Sequence, residues 1–166
     1  ARALHMNREI TRANPMLELA ASRLRAVGRH DRALRMDIRR VEGLAEVGAA
    51  PLSDLLDRLA TIKSLARAAH DDEALALALD SELHLLHRSG RVTEIRTLFD
   101  EIRPVTRSPD RAAACLANAA LALNVLFGDA DEALRCAREA VRMAEAGEVS
   151  PHRLLAYSRL SLVLIY

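Results

Sequence analysis

The stretch that decides the fold is Gly128–Leu134, with the sequence GDADEAL. Glycine ends a helix readily because it adopts the left-handed backbone conformation, and the acidic residues that follow favour the start of the next helix. The alanines let that helix approach its neighbour closely. Three other stretches are similar to it: GRHDRAL from Gly28, HDDEAL from His70 and GRVTEI from Gly90. A turn repeated in this way predicts a series of short antiparallel helices.

Proline and glycine separate the predicted helices. Asn14-Pro15, Ser108-Pro109 and Ser150-Pro151 each place a capping residue before a proline, which is favoured at the first helical position. Pro51 opens a further helix. The predicted helices span residues 2–12, 15–27, 30–47, 52–69, 72–88, 91–103, 110–127, 129–146 and 151–166.

Composition agrees with a helical protein. Alanine, leucine and arginine make up 82 of the 166 residues, whereas aromatic residues make up only 2%. That excludes an ordinary β-sandwich or β-barrel, which is rich in β-branched and aromatic residues. The net charge of +1 gives no basic surplus for nucleic acid, so we expect no direct nucleic-acid contact. No apolar run is long enough for a membrane span, and no membrane contact is expected.

The spacing of the turns contains one irregularity. The residues that follow them, Ala33, Ala74, Ile95 and Ala133, are separated by 41, 21 and 38 residues. Two intervals fit a pair of helices and the third fits one helix. We therefore expect either an extra helix or a bend at residues 70–90. The alternating alanines and leucines of residues 74–79 are apolar on all sides, which predicts a buried helix there.

The helix pairs resemble the tetratricopeptide repeat. In that family a Gly-Asp turn precedes small residues at four- and three-residue steps, as at Ala133, Ala137 and Ala140. On the preceding helix, Ala117, Ala120, Leu121 and Asn124 occupy the contact positions, although Leu121 stands where a small residue is usual. The resemblance implies an all-α antiparallel helix-pair solenoid, a right-handed superhelix of eight or nine helices, with residues 1–166 forming a single repeat domain.

The repeats are similar in length and composition to those in the sensor region of bacterial transcriptional regulators of the MalT/LuxR type. That resemblance implies a non-catalytic module that binds a protein or peptide segment, or a small effector. It also implies a fragment of a longer chain. Two cysteines are too few for a disulfide framework, which favours a reducing, cytoplasmic location.

Candidate binding residues lie on and before the helix at residues 110–127. Asn118 and Asn124 interrupt an otherwise apolar stretch, and a buried amide without a partner costs about 1–3 kcal/mol. Each must therefore bond to neighbouring backbone or to a ligand. By resemblance to tetratricopeptide arrays, Asn118 is expected nearer the concave groove and Asn124 nearer the partner helix. Arg107 and Arg111 flank the start of this helix, where they either attract an acidic ligand or belong to a solvated loop.

The last predicted helix ends in an apolar run that includes Leu160, Leu164 and Tyr166. Either more chain follows or this run docks on a partner. The alternative function is therefore a stand-alone scaffold or homo-oligomerisation module, with a homodimer formed through these residues.

The sequence gives no positive indication of catalysis, metal or cofactor. No phosphate-binding glycine loop and no nucleophile elbow occur. His84 and His87 are one turn apart and would supply two metal ligands; in the alternative, His87 complements the helix dipole and His84 packs among leucines. Cys115 and Cys136 are expected to be buried packing residues. Acidic pairs such as Asp71 and Asp72 are explained by helix capping.

Overall fold

The computed structural model describes residues 2–102, 109–146 and 151–165. These ranges contain eight α-helices and no strand, so the predicted all-α class and helix number are confirmed. The helices are α1 Arg2–Ala26, α2 His30–Glu46, α3 Leu52–Ala68, α4 Asp72–Arg88, α5 Val92–Ile102, α6 Pro109–Ala122, α7 Ala130–Ala146 and α8 Pro151–Ile165. Neighbouring helices pack in pairs, as in a helical-repeat array.

The helix starts follow the predicted capping chemistry. Helices α6 and α8 begin at Pro109 and Pro151, and Pro51 directly precedes α3. The Oδ1 atom of Asp71 accepts a hydrogen bond from the Ala74 amide at 3.0 Å, and that of Asp129 accepts one from Glu132 at 3.2 Å. These carboxylates therefore satisfy amides that the first turn of a helix leaves without partners.

Four turns close with one hydrogen-bond pattern. After α1, Gly28 donates to the Arg25 carbonyl at 3.0 Å and Arg29 to the Leu24 carbonyl at 2.8 Å, which is a Schellman motif. The same pattern closes the turns at Gly48, His70 and Gly90. His70 has φ +53°, the only positive φ among the described non-glycine residues. His70 therefore adopts the left-handed backbone conformation that glycine adopts in the other turns.

The structure corrects the register of the repeat at this turn. The amide that first bonds back to the turn belongs to Leu75, which donates to Asp71, just as Ala33 donates to Arg29. Leu75, and not Ala74, is therefore equivalent to Ala33. The Ala74-Leu75 pair matches Ala33-Leu34 in sequence but lies one position closer to its turn.

The predicted helix start at Asn14-Pro15 is wrong, because α1 continues through Pro15. Asn14 does not cap a helix; it is buried, with its Oδ1 only 3.1 Å from the position of a Cβ atom on Gly43. Ile10 is equally close to that position, at 3.2 Å. The missing side chain of Gly43 thus lets α2 approach α1 closely, and this packing stabilises the helix that proline would otherwise interrupt.

The chain forms two compact units, residues 1–81 and residues 82–166. The division falls inside α4, within the region where the turn spacing predicts an irregularity. An extra helix and a bend both stay predictions. As predicted, most of the apolar stretch of α4 is buried: Ala74, Ala76, Ala78 and Leu79 are at most 1% exposed, whereas Leu77 is half-buried.

In unit 1, residues 1–81, helix α2 packs against both α1 and α3. Polar side chains hold α2 to the start and the middle of α4. Arg35 Nη2 lies 2.8 Å from Glu73 Oε2, and the Ser81 hydroxyl donates to Glu42 Oε1 at 2.7 Å. The buried apolar side chains of this unit include Leu59 and Ile38, which are both fully buried.

In unit 2, residues 82–166, α6, α7 and α8 pack against one another. Alanine dominates their contacts. The fully buried alanines are Ala113, Ala117, Ala119 and Ala120 on α6, Ala133, Ala137, Ala140 and Ala144 on α7, and Ala156 on α8. Small side chains allow the helix axes to come close together.

The turn after α6 differs from the other four. Leu123–Phe127 forms a π-helical turn, and Gly128 donates to the Asn124 carbonyl while Asp129 donates to the Leu123 carbonyl. Each of these bonds spans one residue more than its counterpart at Gly28. The π-helical turn therefore accommodates one additional residue, as π-bulges do within α-helices.

Across the described ranges, no helix combines the length and apolar character needed to cross a membrane.

Candidate functional site

A cavity of about 220 Å³ lies among the first three helices of unit 1. Three of its lining residues are arginines, one is an acid and most of the others are apolar. The lining residues are Arg25, Asp37, Arg40, Val41, Arg58, Thr61, Ile62 and Leu65. We call this space the three-arginine cavity.

Helical periodicity brings these side chains together. Asp37, Arg40 and Val41 are separated by three and four residues, so they lie on one face of α2. The α3 residues, from Arg58 to Leu65, follow the same spacing. Arg25 comes from the last turn of α1. Each arginine is thus supplied by a different helix.

Ion pairs leave one guanidinium of the cavity without a counter-ion. Arg25 forms an ion pair with Asp37, and Arg40 Nη2 lies 2.8 Å from Glu18 Oε2. Among the described residues, no acid lies within ion-pair distance of Arg58. With Asp37 and Glu18 ionised, the group of five side chains carries one net positive charge.

Burial is the largest influence on the pKa of Asp37. Desolvation raises the pKa of this carboxyl above its ordinary value, and the nearby charges of Arg25 and Arg40 oppose that rise only in part. Glu18, a like charge, adds to it. The cavity is therefore an environment in which an additional negative charge needs a compensating cation.

Arg40 has hydrogen-bonding capacity to spare. Its Nε is buried and has no acceptor in the part of the chain that the structure describes. A buried donor without a partner costs about 1–3 kcal/mol. The Nε atom has almost no accessible surface, so it does not face the open space of the cavity. The apolar side chains of Val41, Ile62 and Leu65 would cover part of a ligand there.

The residues predicted from sequence lie in unit 2. Asn118 is half-buried, and its Oδ1 accepts a hydrogen bond from Arg159 Nε of α8 at 3.2 Å. Asn124 lies in the π-helical turn, and its Nδ2 is buried with no acceptor among the described residues. Asn118 thus contributes to the α6–α8 contact. Ligand contact by either amide stays a prediction.

Some predicted residues fall outside the description. Arg107 and Tyr166 lie outside the described residues, and only the backbone of Arg111 is described, within α6. On α8, Leu160 is half-buried and Leu164 is 62% exposed. The proposed self-association surface is therefore described only in part.

His84 and His87 are both exposed, so the interpretation that His84 packs among leucines is wrong. Within the described ranges, no three histidine, cysteine or acidic side chains are grouped as a metal site would need. Cys115 and Cys136 are buried free thiols, as expected of packing residues. The Cys136 Sγ donates to Glu132 Oε1 at 3.7 Å on the same helix.

The three-arginine cavity was not predicted from the sequence. Arginines occur throughout the chain, 23 in all, and these three carry no distinguishing motif. One clue was available on α3, where Thr61 and Ile62 follow Arg58 by three and four residues and therefore share its face of the helix.

Neither a scan against protein-family models nor a search of curated proteins finds a match to this chain.

Proposed function

We propose that this chain is a non-catalytic helical-repeat module that binds a ligand in the three-arginine cavity. The observation that carries the proposal is the cavity itself: three helices of unit 1 border an open space lined by three arginines and by apolar side chains. Concave sites lined mainly by apolar side chains with a few polar groups are typical of ligand binding.

The size of the cavity favours a small effector over a peptide. Its volume of about 220 Å³ is below the range of about 300–1,000 Å³ that is typical of sites for drug-sized ligands. A peptide segment would need an extended groove with several side-chain sites. A protein or peptide partner is therefore the less favoured ligand.

A thermal-shift screen with a small-molecule library tests this proposal. Ligands that bind only the folded state raise the unfolding temperature, and the shift grows with the ratio of the free ligand concentration to Kd. Thr61→Trp would fill the cavity, because Thr61 lines it and is exposed. We expect compounds that stabilise the wild-type chain to lose their effect on Thr61→Trp.

Thr97→Trp is the matched control. Thr97 lies exposed on α5 and its hydroxyl donates to the Thr93 carbonyl, just as Thr61 donates to the Asp57 carbonyl. Compounds should stabilise Thr97→Trp as they stabilise the wild type. Equal shifts for Thr61→Trp, or a library with no stabilising compound, would contradict the proposal.

The wider biological setting is also a proposal. The resemblance of the turns to tetratricopeptide-like sensors supports a place in a MalT/LuxR-type transcriptional regulator in the cytoplasm. The sequence of the gene on both sides of this segment tests that setting. A nucleotide-binding domain before the segment and a DNA-binding domain after it would support the assignment, and a segment encoded alone would contradict it.

A second candidate function is self-association through α8. Leu154, Leu164 and Ile165 are each more than 60% exposed on this helix. Contact with a second copy would remove that apolar surface from water. Sedimentation of the wild-type chain and of Leu154→Glu at matched high concentrations tests the proposal. We expect the wild-type chain to be a dimer and the variant to be a monomer.

A further inference from the structure

We propose that the ligand of the three-arginine cavity is a small organic monoanion, a carboxylate attached to a short apolar chain. This inference rests on the proposed function, because it names the class of ligand that the cavity takes. Charge, hydrogen bonding and lining each restrict the ligand.

The charge of the cavity fits a single negative charge. Arg25 and Arg40 have carboxylate partners in Asp37 and Glu18, and Arg58 has none among the described residues. One bound anion would balance Arg58. A second negative charge on the ligand would be repelled by the half-buried Asp37 carboxylate, for which desolvation is already unfavourable.

The donors fit a carboxylate. A guanidinium presents its N–H groups in a planar fork that matches the two oxygens of a carboxylate. Arg58 lines the cavity, is exposed and has no acidic partner among the described residues, so its fork is accessible to a carboxylate. A phosphate monoester is a poorer match, since it carries close to two negative charges at neutral pH.

The lining fits a short apolar chain. Val41, Ile62 and Leu65 line the cavity beside the arginines, and Ile62 is only 5% exposed. An alkyl chain seated there would leave water at a gain of about 25 cal/mol per Å² of apolar surface. A bare inorganic anion would not use this part of the cavity.

Titration with three six-carbon probes tests the inference. Hexanoate is a monoanion, hexanamide is neutral and adipate is a dianion with a chain of similar length. The readout is the NMR resonance of each arginine Nε–Hε group in the full chain. We expect hexanoate to shift the resonances of Arg58 and Arg40 saturably, and we expect hexanamide and adipate to bind at least about tenfold more weakly.

Two variants separate a specific site from general attraction. Arg58→Gln should weaken hexanoate binding by about tenfold, because it removes the guanidinium that lacks a counter-ion. Arg39→Gln is the matched control: Arg39 is exposed on α2, next to Arg40 in sequence, but it does not line the cavity. It should leave hexanoate affinity unchanged. Circular dichroism shows whether each variant is folded.

Each contrary result overturns the inference. Equal binding of hexanamide at the same resonances would show a neutral ligand class and leave the proposed function standing. Equal weakening by Arg39→Gln and Arg58→Gln would show general attraction by positive charge. If no probe shifts Arg58 or Arg40, the monoanion is excluded, while the library screen with Thr61→Trp still decides the proposed function separately.

Discussion

The two units solve helix packing with different side chains. In unit 2, fully buried alanines lie on α6, α7 and α8, so the helices meet through small side chains. In unit 1, leucine, isoleucine and valine side chains are buried on α2 and α3 beside fewer alanines, and three arginines line an open cavity of about 220 Å³. Larger side chains do not fill every space between helices, and the space left in unit 1 is the site that we propose for a ligand.

The largest expected effect is the loss of a large side chain from unit 1. Leu59→Ala should lower the free energy of unfolding by about 2–5 kcal/mol, because Leu59 is fully buried and its removal leaves a void. Urea denaturation followed by circular dichroism measures the change. The control, Leu65→Ala on the same helix, removes a side chain that is 50% exposed and should cost much less. Similar losses for the two variants would contradict the packing described for α3.

Unit 2 should be sensitive to the opposite change. Ala137 of α7 is fully buried, so Ala137→Leu would overpack its surroundings. Overpacking of this kind lowers the free energy of unfolding by about 1–3 kcal/mol. The same denaturation experiment applies. Ala146→Leu places the same side chain at an exposed position of α7 and should be nearly neutral. A neutral Ala137→Leu would mean that the helices of unit 2 are not in close contact.

The turns offer a smaller and more specific test. Deletion of Val125, which is 60% exposed, should convert the π-helical turn into an ordinary α-helical turn closed like the one at Gly28. We expect a change in unfolding free energy below about 1 kcal/mol. Deletion of Ala119, which is buried within α6, should unfold the unit because it rotates every later α6 side chain. Equal damage from both deletions would contradict the inserted-residue interpretation.

The sequence predicts the elements much better than the site. Glycine and proline determine most helix ends because their backbone restrictions are local, and the acidic caps at Asp71 and Asp129 follow the same local rules. The break expected at Pro15 fails because Gly43, a residue of another helix, lets α2 pack against α1. The three-arginine cavity has the same kind of origin, since it depends on how α1, α2 and α3 meet.

The smallest effect concerns pH. Burial raises the pKa of Asp37 in the folded state, so this group contributes stability below its unfolded pKa of about 3.9 and loses it as pH rises through the folded pKa. Arg25 and Glu18 of α1 and Arg40 of α2 are the charged groups that act on this carboxyl, and Arg58 of α3 lines the same cavity. Asp37→Asn cannot titrate. Its stability relative to wild type should therefore increase from pH 3 to pH 7.

The increase should stay below about 1 kcal/mol, because water partly screens a half-buried carboxyl. Urea denaturation across this pH range measures the difference. A relative stability that falls with rising pH would show that the ion pair with Arg25, and not desolvation, dominates at Asp37.

Ligand binding in the three-arginine cavity is tested most directly by a map of backbone amide shifts on addition of hexanoate to the ¹⁵N-labelled chain. If the cavity binds the ligand, we expect saturable shifts in α1, α2 and α3 around Asp37, Arg40 and Thr61. Shifts confined to α6 and α8 around Asn118 and Asn124 would contradict it, and would place the ligand on the helices that the sequence alone had favoured.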